Sequence, residues 1–282
     1  MGLRVTSSNP FAAQRNILLQ QARLQKYLEQ LSSGLRLNSA ADDPAGFAIS
    51  EQLGAQIAEA NALSVNTSRD INLVQTAEGA LAEINTQLDA IRGLAVQAGN
   101  AAILGDTGLQ AIQEQINRAT ESINRIVETT EFAGQPLLDG TFREKDFLVA
   151  EGNPTQLTIP DVAANALGAG VENASGFASL SEIDVTTPQG AADALRIVDA
   201  AINEVSGIRT ALGAFQTNTL EATSRSLGVT GANLITSRST IRDTDFAAAT
   251  GESALSRIRL QAGVFAQAMA NQRTGMILDL LA

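Results

Sequence analysis

The stretch NSAADDPAGFAIS, residues 38–50, sets two carboxylates and a proline inside a chain that otherwise reads as almost unbroken helix. With Asp43 as N-cap and Pro44 at the first helical position, the carboxylate accepts a hydrogen bond from a first-turn amide, and the proline has no amide hydrogen to leave unpaired. Chemistry from the acid pair would need a further acid, a metal or a polarising pocket. Asp42, Asp43 and Pro44 are therefore read as a helix cap and hinge, the place where one helix ends and a longer one begins.

Outward from this point, proline divides the chain. Pro10, Pro44, Pro136, Pro154, Pro160 and Pro188 leave 45–135 and 189–282 free of the strongest helix breaker. Within these territories apolar residues recur at alternating threes and fours: Leu24, Leu28, Leu31 and Leu35; Leu109, Ile112, Ile116, Ala119, Ile123 and Ile126; Leu195, Val198, Ile202 and Val205; Leu255, Ile258, Ala262, Phe265 and Met269. Ile71, Val74, Leu81, Ile84, Leu88 and Ile91 mark a broader helical face. A narrow apolar stripe needs a partner, as in bundles and coiled coils. Residues 11–35 and 252–281 are amphipathic and too short to be firmly helical alone, so they are expected to order on association. The rhythm changes in the middle, where 146–150 and 155–159 read as strands around a Gly152-Asn153-Pro154 turn. Beyond them AANALGAGVENASGFASL (163–180) reads as loop. The fold class is mainly α: a long, coiled-coil-like helical rod built from both halves of the chain, with a small β-hairpin region in the middle.

Composition agrees. The 282 residues contain no Cys, His or Trp and only 4% aromatic residues, which suits thin helix seams and removes thiolate, imidazole and most metal-ligand chemistry. No cofactor, metal or catalytic residue is indicated, and the chain is read as not an enzyme. A net charge of −11 argues against nucleic acid and against an anionic membrane surface. Ten acids against two bases between Glu128 and Asp184 mark a solvated middle; five bases against one acid in the first 41 residues mark an end suited to burial in an assembly. Neither an apolar run of spanning length nor a cleavable leader is read, so a chain that leaves the cell would do so without a cleaved signal peptide.

Other motifs are weak. GLAVQAG (93–99) and GAGVENASG (168–176) do not sit between a strand and a helix as a phosphate loop would. Arg238, Arg242, Asp243 and Asp245 read as a solvated or inter-helix ion-pair network, and Asn173-Ala174-Ser175 as a chance glycosylation motif.

Four stretches carry a family likeness: LSSGLRLNSAADDPAGFAISEQL (31–53), FAGQPLLDGTF (132–142), SRSTIRDTDFAAATGESA (237–254) and QAGVFAQAMANQRTGMILDLL (261–281) together resemble bacterial flagellin. The resemblance implies paired terminal helices of a filament core from 1–40 and 245–282, an α-helical rod from 41–136 and 189–244, and an outward hairpin with loops from 137–188, without large outer domains. It implies a structural subunit that polymerises into the flagellar filament for swimming and lies outside the cell. The polymerisation interface would use Leu24, Leu28, Leu31, Leu35, Leu255, Ile258, Phe265, Met269, Met276 and Leu280. Implied partners are further copies of the chain, the flagellar export chaperone, and the cap and hook-associated proteins. Contact with an innate-immune Toll-like receptor is expected to be weak: where receptor-activating members carry a Gln-Arg pair and then a Glu, this chain has Asp89, Ala90 and Gly93, although Arg92 and Leu94 remain. Two alternatives stay open at this point, a hook–filament junction protein with flagellin-like ends and an acid-dependent hydrolase using Asp42, Asp43, Asp243 or Asp245.

Overall fold

The computed structural model describes the backbone of residues 10–150 and 153–281 and the side chains of 13–100, 103–148 and 154–272. In order along the chain are helices α1 (Pro10–Ser33), α2 (Pro44–Ala98) and α3 (Ala101–Thr129), strands β1 (Glu131–Phe132), β2 (Gln135–Pro136), β3 (Lys145–Ala150) and β4 (Asn153–Leu157), then α4 (Pro188–Phe215), α5 (Glu221–Arg242) and α6 (Phe246–Leu281). The protein is mainly helical, with two antiparallel hairpins, β1–β2 and β3–β4, in the middle. It divides into two compact units, Met1–Ala58 with Gly231–Ala282, and Glu59–Thr230. The division falls inside α2 and α5, where the first turns of α2 and the end of α5 are joined by the Arg242–Glu51 ion pair.

The core of Glu59–Thr230 follows from helix spacing. Val74, Ala77, Leu81, Ile84, Leu88, Ile91, Ala95 and Ala98 are all buried and step by three and four along α2. They pack in one cluster with Ile112, Ile116 and Ile123 of α3 and Ala194, Val198 and Val205 of α4. Alanine, valine, isoleucine and leucine fill the seam between these helices, and the phenylalanines of the cluster, Phe142 and Phe147, come from the middle segment. A helix break at Gly99-Asn100 separates α2 from α3 without a proline, and Gly105, with φ +62°, kinks α3 one turn further on.

The β3–β4 hairpin forms one or two residues from its expected place. Asn153 and Pro154 belong to the strand, with Pro154 opposite Leu148, and a bulge lies between Leu148 and Ala150. A two-stranded ribbon has edges that need no amide, so the proline fits. The 163–180 segment, read from sequence as loop, carries no helix or strand before the short 3-10 turn Leu180–Glu182, and with its flanks it is fastened to the core. Ile159, Val162, Leu167, Leu180 and Val185 are buried, and Leu180 N–H donates to the Leu167 carbonyl at 2.9 Å. Gln113 of α3 holds it twice, donating to the Ile183 carbonyl (2.9 Å) and accepting from Val185 N–H (2.8 Å). At Gly168, φ +67°, a Cβ would stand 2.6 Å from Ile197 Cγ2 and 2.8 Å from its carbonyl oxygen, so only glycine lets the loop lie on α4. Asn173 is committed to its own loop: its amide nitrogen donates to the carbonyls of Val171 and Phe177, and its carbonyl accepts from Phe177 N–H.

Thr187 caps α4, accepting from Gly190 N–H at 3.0 Å with Pro188 in the first turn. Asp193, one turn on, is fully buried yet charged. It accepts from Ser175 Oγ (2.7 Å), Ser175 N–H (3.0 Å), Gln189 (3.2 Å) and Arg196 (3.2 Å). These donors, the Ser175 hydroxyl first, hold its carboxyl down at about 2 despite burial. A native value below the ordinary one of 3.8 means that the stabilisation is present above about pH 4 and is lost as pH falls toward 2. Asp193→Asn is expected to melt at a lower temperature than the parent at pH 7, with the gap closing between pH 4 and pH 2; thermal unfolding by circular dichroism across that range checks it. Gly168→Ala is expected to destabilise this unit by roughly 2 to 4 kcal/mol through forced φ and overpacking, read as a lower urea midpoint.

Candidate functional site

In the unit formed by Met1–Ala58 with Gly231–Ala282, α1 packs along α6. Ala13, Ile17, Gln20, Leu24, Tyr27 and Leu31 form the covered face of α1. On α6 the covered face is Ala249, Ser253, Ser256, Leu260, Gly263, Gln267 and Ala270, again in steps of four and three. Most of these α6 residues are small, and at Gly263 an added Cβ would lie 3.2 Å from Ile17 Cγ1. Within one chain, therefore, the seam uses the small stripe of α6 and leaves the large one out. Leu255, Ile258, Phe265 and Met269 all face away, Phe265 at 74% and Met269 at 61% exposure. Leu28 is exposed as well, beside Leu18 and Leu19, whereas Leu24, Leu31 and Leu35 are half-buried. Met276 and Leu280 lie outside the described side chains. The seam is also polar in places: the carbonyl oxygen of Gln20 is buried without a donor, a cost of roughly 1 to 3 kcal/mol.

Two capped joints set the direction of these helices. Asp43 Oδ1 accepts from Gly46 N–H at 3.1 Å, and Asp43 O from Phe47 N–H at 2.9 Å, so α2 starts at Pro44 on a side-chain cap. Asp42 does separate work, tying the 38–39 turn to α1: it accepts from the amides of Asn38 and Ser39 (both 3.2 Å) and from Lys26 Nζ (2.8 Å). The Lys26 ammonium, with the Ser39 amide, holds the Asp42 carboxyl below its ordinary value. Asp245 caps α6 in the same way, accepting from Ala247 and Ala248 N–H at 2.9 and 3.1 Å.

The joints are laced to each other. Arg36 N–H donates to the Arg242 carbonyl (2.7 Å), Thr244 N–H to the Gly34 carbonyl (2.9 Å), Gln30 Nε2 to the Arg36 carbonyl (2.9 Å), and the Arg36 guanidinium to the Ile241 carbonyl. Gly34 takes φ +74° to make the turn. Of Arg238, Arg242, Asp243 and Asp245, read as a solvated or inter-helix network, Arg242 makes the inter-helix ion pair, while Asp243 and Asp245 are exposed. Arg242 reaches Glu51 (2.7 Å) and lies 5.5 Å over the Phe47 ring; Asp243 pairs with Leu35 through its backbone; Asp245 is a cap. Sequence reasoning missed Glu51 and Phe47, because the contact spans 191 residues and only the fold brings the groups together.

The segment to which the family resemblance assigns receptor contact lies on α2 within Glu59–Thr230. Asp89, Ala90, Arg92 and Gly93 are exposed, and Leu94 is half-buried against the core. Arg92 Nε donates to Asp199 Oδ1 at 2.6 Å across to α4, and this carboxylate raises the guanidinium pKa. Among the described residues no group of acids is placed to hold a metal ion, and no helix is long and apolar enough to cross a membrane.

These features define the class: a structural protein of long helices whose two terminal segments pair through small residues and present a continuous apolar face outward. Family profiles match it twice, the bacterial flagellin N-terminal helical region over residues 6–143 and the C-terminal helical region over 195–281. The flagellin of Bacillus subtilis strain 168 is 42% identical, over 91% of this chain and 92% of its own length. FlaB2 of Treponema pallidum is 33% identical over 92% of each. A solved chain from Vibrio parahaemolyticus, provisionally described as a flagellar hook-associated protein, matches 72% of this chain and all of its own with a TM-score of 0.61; at 16% identity that likeness is one of fold. The chain belongs to the bacterial flagellin family, and it is a structural subunit of the flagellar filament.

Replacing either cap by alanine, Asp43→Ala or Asp245→Ala, is expected to cost about 1 kcal/mol, as loss of an N-cap does. Heat depolymerisation of assembled filaments, followed by light scattering, checks both variants.

Proposed function

We propose that this flagellin polymerises through the large apolar stripe of α6 and the exposed leucines of α1, which copies of the chain cover for one another. One observation carries the reading: Leu255, Ile258, Phe265 and Met269, at helical spacing, face away from the α1–α6 seam. Burial of one such side chain is worth about 1.5 to 3 kcal/mol, so a few per contact outweigh an imperfect internal seam. Heterologous contacts of this kind need not close, and they extend into an open helical polymer. In this reading 1–40 and 245–282 form the filament core, 41–136 and 189–244 the helical layer around it, and 137–188 the outward face. Its work is mechanical, and no side chain breaks or makes a covalent bond. Three of the acids a hydrolase would use, Asp42, Asp43 and Asp245, accept structural hydrogen bonds through their carboxylates.

The same exposed stripe suits an export chaperone before assembly, a groove-binding partner that takes an amphipathic helix by its Met and Phe. Cap and hook-associated proteins would meet it at filament ends, outside the cell. Receptor contact is weak in this reading, since Asp89, Ala90 and Gly93 offer no hot-spot arginine and Arg92 is engaged with Asp199.

Phe265→Asp is expected to raise the critical concentration for polymerisation by at least roughly tenfold while leaving the thermal transition of Glu59–Thr230 unchanged; sedimentation of seeded filaments measures the first and calorimetry the second. Wild-type filament formation by the Phe265→Asp chain would rule out this face. Long filaments from the parent chain alone also separate a filament subunit from a junction protein, which occurs in few copies and stops. In a cell-reporter assay, receptor activation is expected to fall on the order of 30-fold or more below a receptor-activating flagellin, the weight of one lost hot spot.

A further inference from the structure

The covered face of α4 runs through Val205, Ile208, Leu212 and Phe215 in steps of three, four and three. The next core residue is Leu220, five positions on, after which Ser224 and Leu227 follow at four and three. A step of five turns a residue about 140° away from an α-helical face. The chain absorbs this slip in a single π-helical turn, Gln216–Leu220, between α4 and α5.

Four contacts hold that turn. Glu221 N–H donates to the Gln216 carbonyl, and Gln216 Nε2 donates to Glu221 Oε1 at 3.0 Å; at a separation of five, this side-chain pair meets only while the π-turn is in place. Thr217 Oγ donates to the carbonyl of Gly213 at 2.9 Å. Phe147 of β3 stands edge-on to Phe215 with ring centres 5.5 Å apart, and is itself backed by Phe142 at 6.2 Å.

We infer that Gln216–Leu220 is a one-residue register joint with two settings, latched in the observed one by the β3–β4 hairpin through Phe147. In the second setting the extra residue moves past Leu220 into α5. Thr219 then stands four after Phe215 on the core face, and the first turns of α5 rotate by about 100°. That rotation changes which of the half-buried side chains at the start of α5, Ser224 and Leu227 in the observed setting, lie inward and which are offered to neighbouring copies. Leu220 favours the observed setting by its burial, whereas the wider π ladder favours release, and the balance of these two opposed effects is what a contact from outside the chain would tip between the two settings. Neighbouring copies can then select one of them, which rests on the polymerisation reading above.

Hydrogen exchange on the full-length chain tests this. In the monomer, amides of 217–221 are expected to exchange at least tenfold faster than those of 198–205. Deleting Asn218, whose side chain is exposed, makes Leu220 the fourth residue after Phe215 and should remove that excess with an unchanged or raised melting temperature. Phe147→Ala should speed exchange at 217–221 without altering 112–123, and filament assembly should slow it at least tenfold. Equal rates in the parent monomer, a deletion variant that fails to fold, or an indifferent Phe147→Ala each overturn the joint; unchanged exchange in filaments overturns its coupling to neighbours. A parent chain that forms no filaments contradicts the polymerisation reading and leaves the monomer result standing.

Discussion

The close approach of α1 to α6 governs the terminal half of the molecule. Gly263 lies against Ile17, while Gly34 meets Thr244 at the other end of the pair, so the two helices run antiparallel. Small residues at Ala249, Ser253, Ser256, Gly263 and Ala270 favour that approach, and they lie along one stripe of α6. Helical geometry then leaves no choice for the larger side chains: a stripe two residues out of phase lies on another face, and Phe265 and Met269 point away. Packing within one chain therefore creates the surface on which assembly between chains is proposed.

The joints at 34–43 and 243–245 turn a helix pair into a defined object. Each ends on an aspartate cap, and their backbones bond to each other, so α2 and α6 leave from a common set of hydrogen bonds. Arg242 closes the arrangement with a stacked ring and a carboxylate, both supplied by the first turns of α2. Exposed pairs of this type are worth little singly. Here the guanidinium works through its position, as a strut between α5 and α2.

Much of this was legible in the sequence. Alternating threes and fours marked the helices, and Asp43-Pro44 marked a helix start because cap and missing amide are local properties. The four family-like stretches identified the ends. What was not legible depended on distance. Nothing local in 158–187 says that Leu167 and Leu180 meet, or that Gln113 fastens the segment to α3. Gly99-Asn100 breaks the helix without the proline used to find boundaries. On α6 the sequence offered two seams, one of large residues and one of small; hydrophobic size drew attention to Leu255, Ile258, Phe265 and Met269, but backbone proximity decided for the small one. The π-turn was visible as a skipped residue between Phe215 and Leu220, a phase error that a search for continuous periodicity passes over.

Gln113 shows how little freedom such a fastening leaves. Its amide both gives a proton to Ile183 and takes one from Val185, so the site distinguishes nitrogen from oxygen. An isosteric exchange for glutamate, the product of slow deamidation as a protein ages, keeps shape and volume but sets a lone pair against the Ile183 carbonyl. Chemical wear at a single atom would thus loosen the strap over α3 while every apolar contact stayed intact.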